Sequence, residues 1–331
     1  MTTPRVTIVT ASYNQRRFIG ACIESVRAQS YDDWEQVVVD DGSTDGTADV
    51  AESFGDPRIR VLRLPHRGLT HLAESYNAAL AASRGSLVAV LEGDDLWPAD
   101  KLATQVAAFD DSDVFLSWGR ALAVDDKGRT LRPLSTVRTD APWRDFDAVE
   151  VFRRLARTNV LAPAASVMMR RSMLDAVGGF QQGGSSYFVD LATWLTLTAR
   201  TRGRVRFVNH TLAHYRVHEH QTTQRFGREM DAEHVGVVLD VAARLDGDTQ
   251  ARLGWDTLRR ETEAAGVVAA ARRALAASDY GAARRSFSRA LVRARTWPDR
   301  AKAALGLVSA LAHVDLLGKA LAARASYLSG D

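Results

Sequence analysis

Two clusters of acidic residues stand where carboxylates could do chemistry. Asp40-Asp41 closes the run Gln36–Val39, and Glu92, Asp94 and Asp95 follow directly on Leu87–Leu91. Clustered carboxylates repel one another and lose hydration when partly buried, so they persist mainly where a cation or a donor-rich ligand offsets the cost. Acids at this spacing on a strand-end turn can hold a hard divalent ion, Mg2+ or Mn2+, and leave positions open for phosphate. The competing reading is structural: Asp94 or Asp95 would cap a helix starting near Pro98. A further acid, Asp190, stands at the start of a predicted helix, four residues before Trp194. There it is either a general base or a charge favoured by the helix dipole. His210, His214 and His218 are spaced by four, which on a helix would form a zinc face. Thr211 to Val217 reads as extended chain, and that conformation separates them.

The elements that must position these groups follow from apolar patterning. Val6–Thr10, Gln36–Val39 and Leu87–Leu91 are strand-length and nearly continuous, as expected of strands buried on both faces of a parallel sheet. Ligands of such sheets sit beyond the carboxyl ends of the strands, here Thr10–Asn14, Asp40–Ser43 and Glu92–Asp95. Between the strands come a helix over Arg16–Gln29, a helix started by Asp45, a strand Ile59–Leu64 and a helix Thr70–Ser83 closed by Gly85. This alternation predicts a doubly wound α/β sheet. Further on we expect strands at Asp113–Trp118, Ala165–Met169 and Val205–Val208, and helices at Phe146–Thr158 and Phe188–Ala199. From Phe226 the chain is rich in Ala, Arg and Leu and reads as helical. A single helical hairpin around Asp279-Tyr280-Gly281 is too little for a solenoid, so a docked helical appendage is expected.

Composition bounds the rest. The 331 residues are 46% hydrophobic and 25% charged, as in an ordinary soluble globular protein. Cys22 is the only cysteine, which excludes an intrachain disulfide and fits a reducing compartment. Neither a signal peptide nor a run of about 18 apolar residues is found. Residues 251–331 carry 14 Arg/Lys against 7 Asp/Glu, so the C-terminal region is basic although the whole chain is only +3. Such a tail is a solvated helix face or a surface for anionic lipid, with Arg284, Arg285, Arg289, Arg293 and Arg295 the natural contacts. Its aromatics Trp255, Tyr280, Phe287, Trp297 and Tyr327 are explained by helix packing, and no nucleic-acid partner is expected.

Val6-Thr-Ile-Val-Thr-Ala-Ser-Tyr-Asn14, Val38-Val-Asp-Asp-Gly-Ser-Thr-Asp45 and Leu91-Glu-Gly-Asp-Asp-Leu-Trp-Pro98 resemble successive motifs of the family 2 glycosyltransferases. Val177-Gly-Gly-Phe180, Asp190 before Trp194, and Tyr215-Arg-Val-His218 resemble the later ones, all in family order. The resemblance implies a GT-A type fold, a mixed Rossmann-like sheet with a C-terminal helical appendage. It also implies an inverting mechanism and a nucleotide-diphosphate sugar donor, most commonly a UDP-sugar. By the same resemblance, Ala11 and Tyr13 would line the nucleobase pocket, Tyr13 by stacking, and Asp41 would accept a hydrogen bond from the base ring. Asp94 would sit near the ribose or sugar, Asp95 would bind the Mn2+ or Mg2+ bridging the diphosphate, and Asp190 would be the catalytic base. In some relatives the residue matching His218 adds a metal ligand. The implied organisation is a catalytic domain over 1–224, with a nucleotide-binding half 1–95 and an acceptor-binding half 96–224, followed by helical residues 225–331. A glycan or lipid-linked acceptor, and action in the cytoplasm or at the inner face of the cell membrane, are the corresponding expectations.

Three positions depart from the family pattern: Glu92 where Asp is common, Val189 where an acid usually precedes the base, and Tyr76 where Arg usually adjoins Asn77. The signature Gln-x-x-Arg-Trp of processive synthases is absent, so addition of single sugars is expected. The adjacent Asp40-Asp41 lacks the one-residue gap of haloacid dehalogenase-type phosphotransferases, and Thr10–Arg16 lacks the glycines of a dinucleotide fold. A non-catalytic nucleotide-sugar-binding module stays open at this point.

Overall fold

The computed structural model describes residues 3–134, 137–185, 187–293, 297–313 and 316–317. Arg295 and Tyr327, and the side chains of Arg293 and Trp297, lie outside the described residues. The opening half alternates as expected: β1 (Val6–Ser12), α1 (Arg16–Arg27), β2 (Trp34–Asp40), α2 (Thr47–Glu52), β3 (Ile59–Arg63), α3 (Leu72–Ala81) and β4 (Leu87–Val90). α1 forms because Phe18, Ile19, Cys22, Ile23 and Val26 fall on one buried face. β1 is parallel to both β2 and β4, with Val9 opposite Val37 and Val90, so three carboxyl ends share one edge. Gly85 is not the helix cap that was expected. α3 ends at Ala81 with Ala82 as its cap, and a Cβ on Gly85 would lie 2.4 Å from the Thr7 nitrogen, so the missing side chain lets the chain enter β4 against β1.

The second half extends the sheet through α4 (Lys101–Val106), β5 (Val114–Val124), β6 (Thr130–Pro133), β7 (Trp143–Asp147), α5 (Ala148–Leu155), β8 (Met168–Arg170), α6 (Arg171–Ala176), α7 (Val189–Arg200) and β9 (Arg204–Arg216). Among the described residues nine strands form one sheet in the order β3-β2-β1-β4-β8-β5-β9-β7, with β6 paired to β5. β8 is antiparallel to both β4 and β5, and β5 is parallel to β9. β9 therefore runs in the direction of β4, and its carboxyl end reaches the edge where the acids lie.

Two assignments from sequence change. The predicted helix Phe146–Thr158 begins as the edge strand β7, and Asp147 then caps α5 by accepting a hydrogen bond from the Val149 amide. The predicted strand Val205–Val208 is only the start of the 13-residue β9, which contains His210 and His214. The extended reading of the histidines holds: the ring of His210 meets Asp100 at 2.9 Å, and the backbone of His214 pairs with Leu96.

Then follow α8 (Thr222–Ala243), α9 (Gly247–Leu253), α10 (Trp255–Ala276), α11 (Tyr280–Arg293) and α12 (Trp297–Leu311). Val237, Val238, Val241, Leu253, Trp255 and Leu258 join the large core beside the sheet. Ala271, Leu275, Ala283, Phe287 and Ala310 make a separate small core. A Cβ on Gly306 would fall 2.2 Å from the Phe287 ring, so the absence of a side chain there lets α12 close on α11.

Lys101 is fully buried at the start of α4. Its Nζ has no hydrogen-bond partner and lies 3.6 Å from the centre of the Trp97 ring, and burial holds its pKa well below the usual lysine value. The charged form is thus penalised in the fold at every pH below the unfolded lysine value, and stability rises as alkaline pH removes that proton. Lys101→Met is expected to raise stability by about 1–3 kcal/mol and to flatten this alkaline rise, measured by urea unfolding between neutral pH and pH ~10.

Candidate active site

The site is assembled around three consecutive residues of α3. Ser75 Oγ donates to Asp41 Oδ1 at 3.3 Å, and the Tyr76 hydroxyl donates to Glu92 Oε1 at 3.3 Å. Asn77 exchanges two hydrogen bonds with the backbone of Phe180, at 2.9 and 2.8 Å. One helical turn thereby ties the ends of β2 and β4 to the Val177-Gly-Gly-Phe180 turn. Gly179, at φ +86°, lies so close to Asn77 that a Cβ would meet its Oδ1 at 2.3 Å. Tyr76, read from sequence only as a lost arginine, is the partner of the other departure, Glu92.

The acid turn after β4 is not a helix cap. Asp95 is 1% exposed and its Oδ1 accepts from the Arg216 amide at 2.9 Å. Asp94 Oδ2 lies 3.0 Å from His218 Nε2, while Arg216 Nε donates to the Asp94 carbonyl at 2.8 Å. The Phe18 ring packs against His218, with centroids 4.5 Å apart, and under the Arg216 guanidinium. His218 thus faces Asp94, and Asp95 is enclosed as the anchor that fastens the turn to the end of β9.

Burial dominates the electrostatics. It pushes Glu92 up to about 7, with Asp94 and Asp190 adding repulsion and the Tyr76 hydrogen bond opposing it. Asp95 is raised well above the usual carboxylate value by burial, then by Asp94 and Glu92, against the Arg216 contacts. Asp190, in the first turn of α7, is likewise raised by burial, although its own helix amides and Asn159 favour the charged form. Asn159 Nδ2 donates to Asp190 Oδ2 at 2.7 Å, and the Asn159 Oδ1 is buried without a partner. Asn159 escaped the sequence reading because it follows α5 in an irregular segment with no motif around it.

On the Asp41 side of Ser75, Ala11 is buried at the end of β1 and Tyr13 lies 43% exposed beyond it. The His66 ring stacks on Tyr13, centroids 4.0 Å apart and planes 7° from parallel. His66 Nδ1 is 2.8 Å from Asp41 Oδ2 and 3.0 Å from the Asp41 carbonyl. Both partners are acceptors, so Nδ1 carries the hydrogen. A cavity of about 230 Å³ opens beside Asp41, bounded by Pro65, Arg67, His71 and Ser75 among others.

The donor set fits a small divalent ion. Asp94 and His218, paired through Oδ2 and Nε2 3.0 Å apart, are side chains of the kind that would together hold such an ion. The buried His218 Nδ1 has no partner, and among the described residues no three His, Cys, Asp or Glu side chains form a closed metal cage. An ion held by two protein ligands takes its remaining positions from phosphate and water.

The mixed sheet, with acids at the carboxyl ends of β2 and β4, is a glycosyltransferase fold of the GT-A type. Residues 1–349 of the S. aureus protein TarS, in complex with UDP, superpose with a TM-score of 0.59 at 16% identity, over 99% of this chain and 92% of that one. The mannosyltransferase PcManGT of Pyrobaculum calidifontis, in complex with GDP-Man and Mn2+, gives 0.55 at 21% identity over 99% and 88%. The sequence profile of Glycosyl transferase family 2 matches residues 7–178, and the chain belongs to that family. TuaG of Bacillus subtilis, named for teichuronic acid biosynthesis, is 33% identical over 65% of this chain and 79% of its own length. WfgD of Escherichia coli, named as a UDP-Glc:alpha-D-GlcNAc-diphosphoundecaprenol beta-1,3-glucosyltransferase, is 35% identical over 34% of this chain and 44% of its own. An uncharacterized glycosyltransferase of Nostoc sp., alr2836, is 26% identical, with 65% of its length matched.

Proposed function

We propose that this protein is an inverting glycosyltransferase that moves one sugar at a time from a nucleotide-diphosphate donor to an acceptor hydroxyl in cell-surface glycan synthesis. The observation that carries the reading is the convergence of Asp190 and Asp94 on buried Glu92, acids from separate segments close enough for the first two to raise the proton affinity of Glu92. Asp190 takes the proton of the acceptor hydroxyl while that oxygen attacks the anomeric carbon from the face opposite the diphosphate. The anomeric carbon–oxygen bond breaks as the new bond forms, and the nucleoside diphosphate leaves with the electron pair. Asn159 orients Asp190 through its 2.7 Å hydrogen bond. Asp94 and His218 would hold the Mn2+ or Mg2+, in place of the Asp95 expected from sequence, because Asp95 is enclosed and committed to Arg216. When bound, the ion neutralises the leaving diphosphate.

Tyr13, Ala11 and Asp41 would receive the base, and a UDP-sugar is the first donor to test, since TarS is described with UDP and WfgD is named for UDP-Glc. The name of WfgD also makes a diphosphoundecaprenol-linked sugar the first acceptor to test. The experiment is release of nucleoside diphosphate from a panel of UDP-sugars and GDP-mannose, with Mn2+ or EDTA, and assignment of the product anomer by NMR. Retained anomeric configuration would exclude the inverting mechanism, and no Mn2+-dependent release from any donor would favour a binding module.

A lipid-linked acceptor gives the basic helices a use. Arg284, Arg285 and Arg289 are exposed on α11, on the side away from buried Ala283, Phe287 and Ala290. Among the described residues no helix is long and apolar enough to cross a membrane. Peripheral attachment through these arginines predicts cosedimentation with vesicles containing anionic lipid, lost in the triple Glu variant and at high salt. Equal binding to neutral vesicles would count against it.

A further inference from the structure

We propose that the His66 imidazole and the donor's nucleobase compete for one place, so that the protein closes its own base site and donor binding must turn His66 out. The proposal rests on the reading of Tyr13 and Asp41 as the base-binding pair. A base recognised by that pair needs an aromatic face to lie on Tyr13 and a ring N–H to donate to the Asp41 carboxylate. His66 supplies both at once. Its ring lies 4.0 Å from that of Tyr13 and 7° from parallel, and its Nδ1–H points at Asp41 Oδ2 from 2.8 Å. Rings at that separation are in contact, and no third ring enters between them. The second carboxylate oxygen of Asp41 already accepts from Ser75, so both oxygens have partners.

The backbone under His66 is pinned while its side chain is free to leave. Gly42 has φ +71°, and a Cβ there would lie 2.5 Å from the His66 nitrogen, so the His66 segment rests directly on the Asp41-Gly42 turn. The imidazole is 37% exposed and reaches solvent by rotation about its own side-chain bonds. Arg67, the nearest cation in sequence, is paired with Glu74 and does not replace His66 at Asp41. Donor affinity is then the intrinsic affinity multiplied by the fraction of molecules with His66 turned out. The exchange also selects bases. Uracil, thymine and guanine carry a ring N–H on the pairing edge, whereas adenine and cytosine present a ring acceptor there, which the Asp41 carboxylate repels.

The test is calorimetric titration of the full chain with UDP in Mg2+, in the wild type and in His66→Ala, His66→Asn, Tyr13→Ala and Asp41→Ala. Removing the competitor is expected to tighten UDP binding about fivefold in His66→Ala. His66→Asn keeps a donor and loses the ring, so it should tighten binding by less. Tyr13→Ala and Asp41→Ala should weaken it, and ADP should bind far more weakly than UDP to every form that keeps Asp41. If both His66 variants weaken UDP binding or leave it unchanged while Tyr13→Ala and Asp41→Ala weaken it, His66 is a wall of the site or a bystander and the proposal is overturned. If Tyr13→Ala and Asp41→Ala change nothing, the base-site reading fails, and the proposal with it.

Discussion

Asp190→Asn is expected to bind donor as the wild type does and to transfer sugar roughly a hundredfold more slowly or worse, the usual range for loss of a general base. The substitution keeps the shape and an oxygen that can accept from Asn159, so the first turn of α7 should stay in place. The sign of the stability effect separates catalysis from folding. Burial raises the Asp190 pKa above its ordinary value. The folded state therefore holds this proton more tightly than the unfolded state, and stability falls as pH rises from the ordinary to the raised value. At neutral pH the ionised carboxylate is then a cost to the fold. Asp190→Asn removes that cost, so its melting temperature should equal or exceed that of the wild type while turnover collapses. The same raised value implies that transfer fails on the acid side at a higher pH than an ordinary carboxylate would impose. A variant that turned over normally, or one that lost activity only because it melted, would take Asp190 out of its role.

Why Asp190 was legible in the sequence and Asn159 was not illustrates what one chain reveals. Asp190 sits in a motif and opens a helix marked by apolar spacing. Asn159 reaches it across 31 positions, from an irregular stretch whose course depends on how α5 packs. The strands β1, β2 and β4 were equally plain, because burial on both faces leaves unbroken apolar runs. β7 was missed, and its last two residues were read as helix, because its five residues are mostly exposed and alternate poorly, and β9 was cut short where Asn209 and His210 interrupt its apolar start. His66 gave no signal at all, since its partners Tyr13 and Asp41 come from two other strand ends. The departures at Tyr76 and Glu92 looked like two defects from sequence. Pairing shows them as one change, a tyrosine hydroxyl meeting a longer carboxylate.

Asp94→Ala is expected to remove the metal dependence of donor binding, so that affinity in Mn2+ falls to the value measured in EDTA, a loss of roughly 10–100-fold or more by analogy with disrupted metal sites. The contrast with Asp95 makes the assignment testable. Both acids stand in one turn, and motif order alone gave the metal to Asp95. Yet Asp95 is shut in, with Oδ1 on the Arg216 amide, and Asp94 is the carboxylate that faces the His218 ring. Asparagine at 95 can still accept from Arg216 through its carbonyl oxygen, and it no longer has to be ionised in a buried position. Asp95→Asn is therefore expected to keep metal-dependent donor binding, and His218→Ala to weaken it in the same direction as Asp94→Ala. Direct titration of each variant with the UDP-sugar, with and without Mn2+, distinguishes the two carboxylates. Loss of metal dependence in Asp95→Asn with retention in Asp94→Ala would return the ion to Asp95, and the turn would then have to rotate its buried acid outward, away from Arg216.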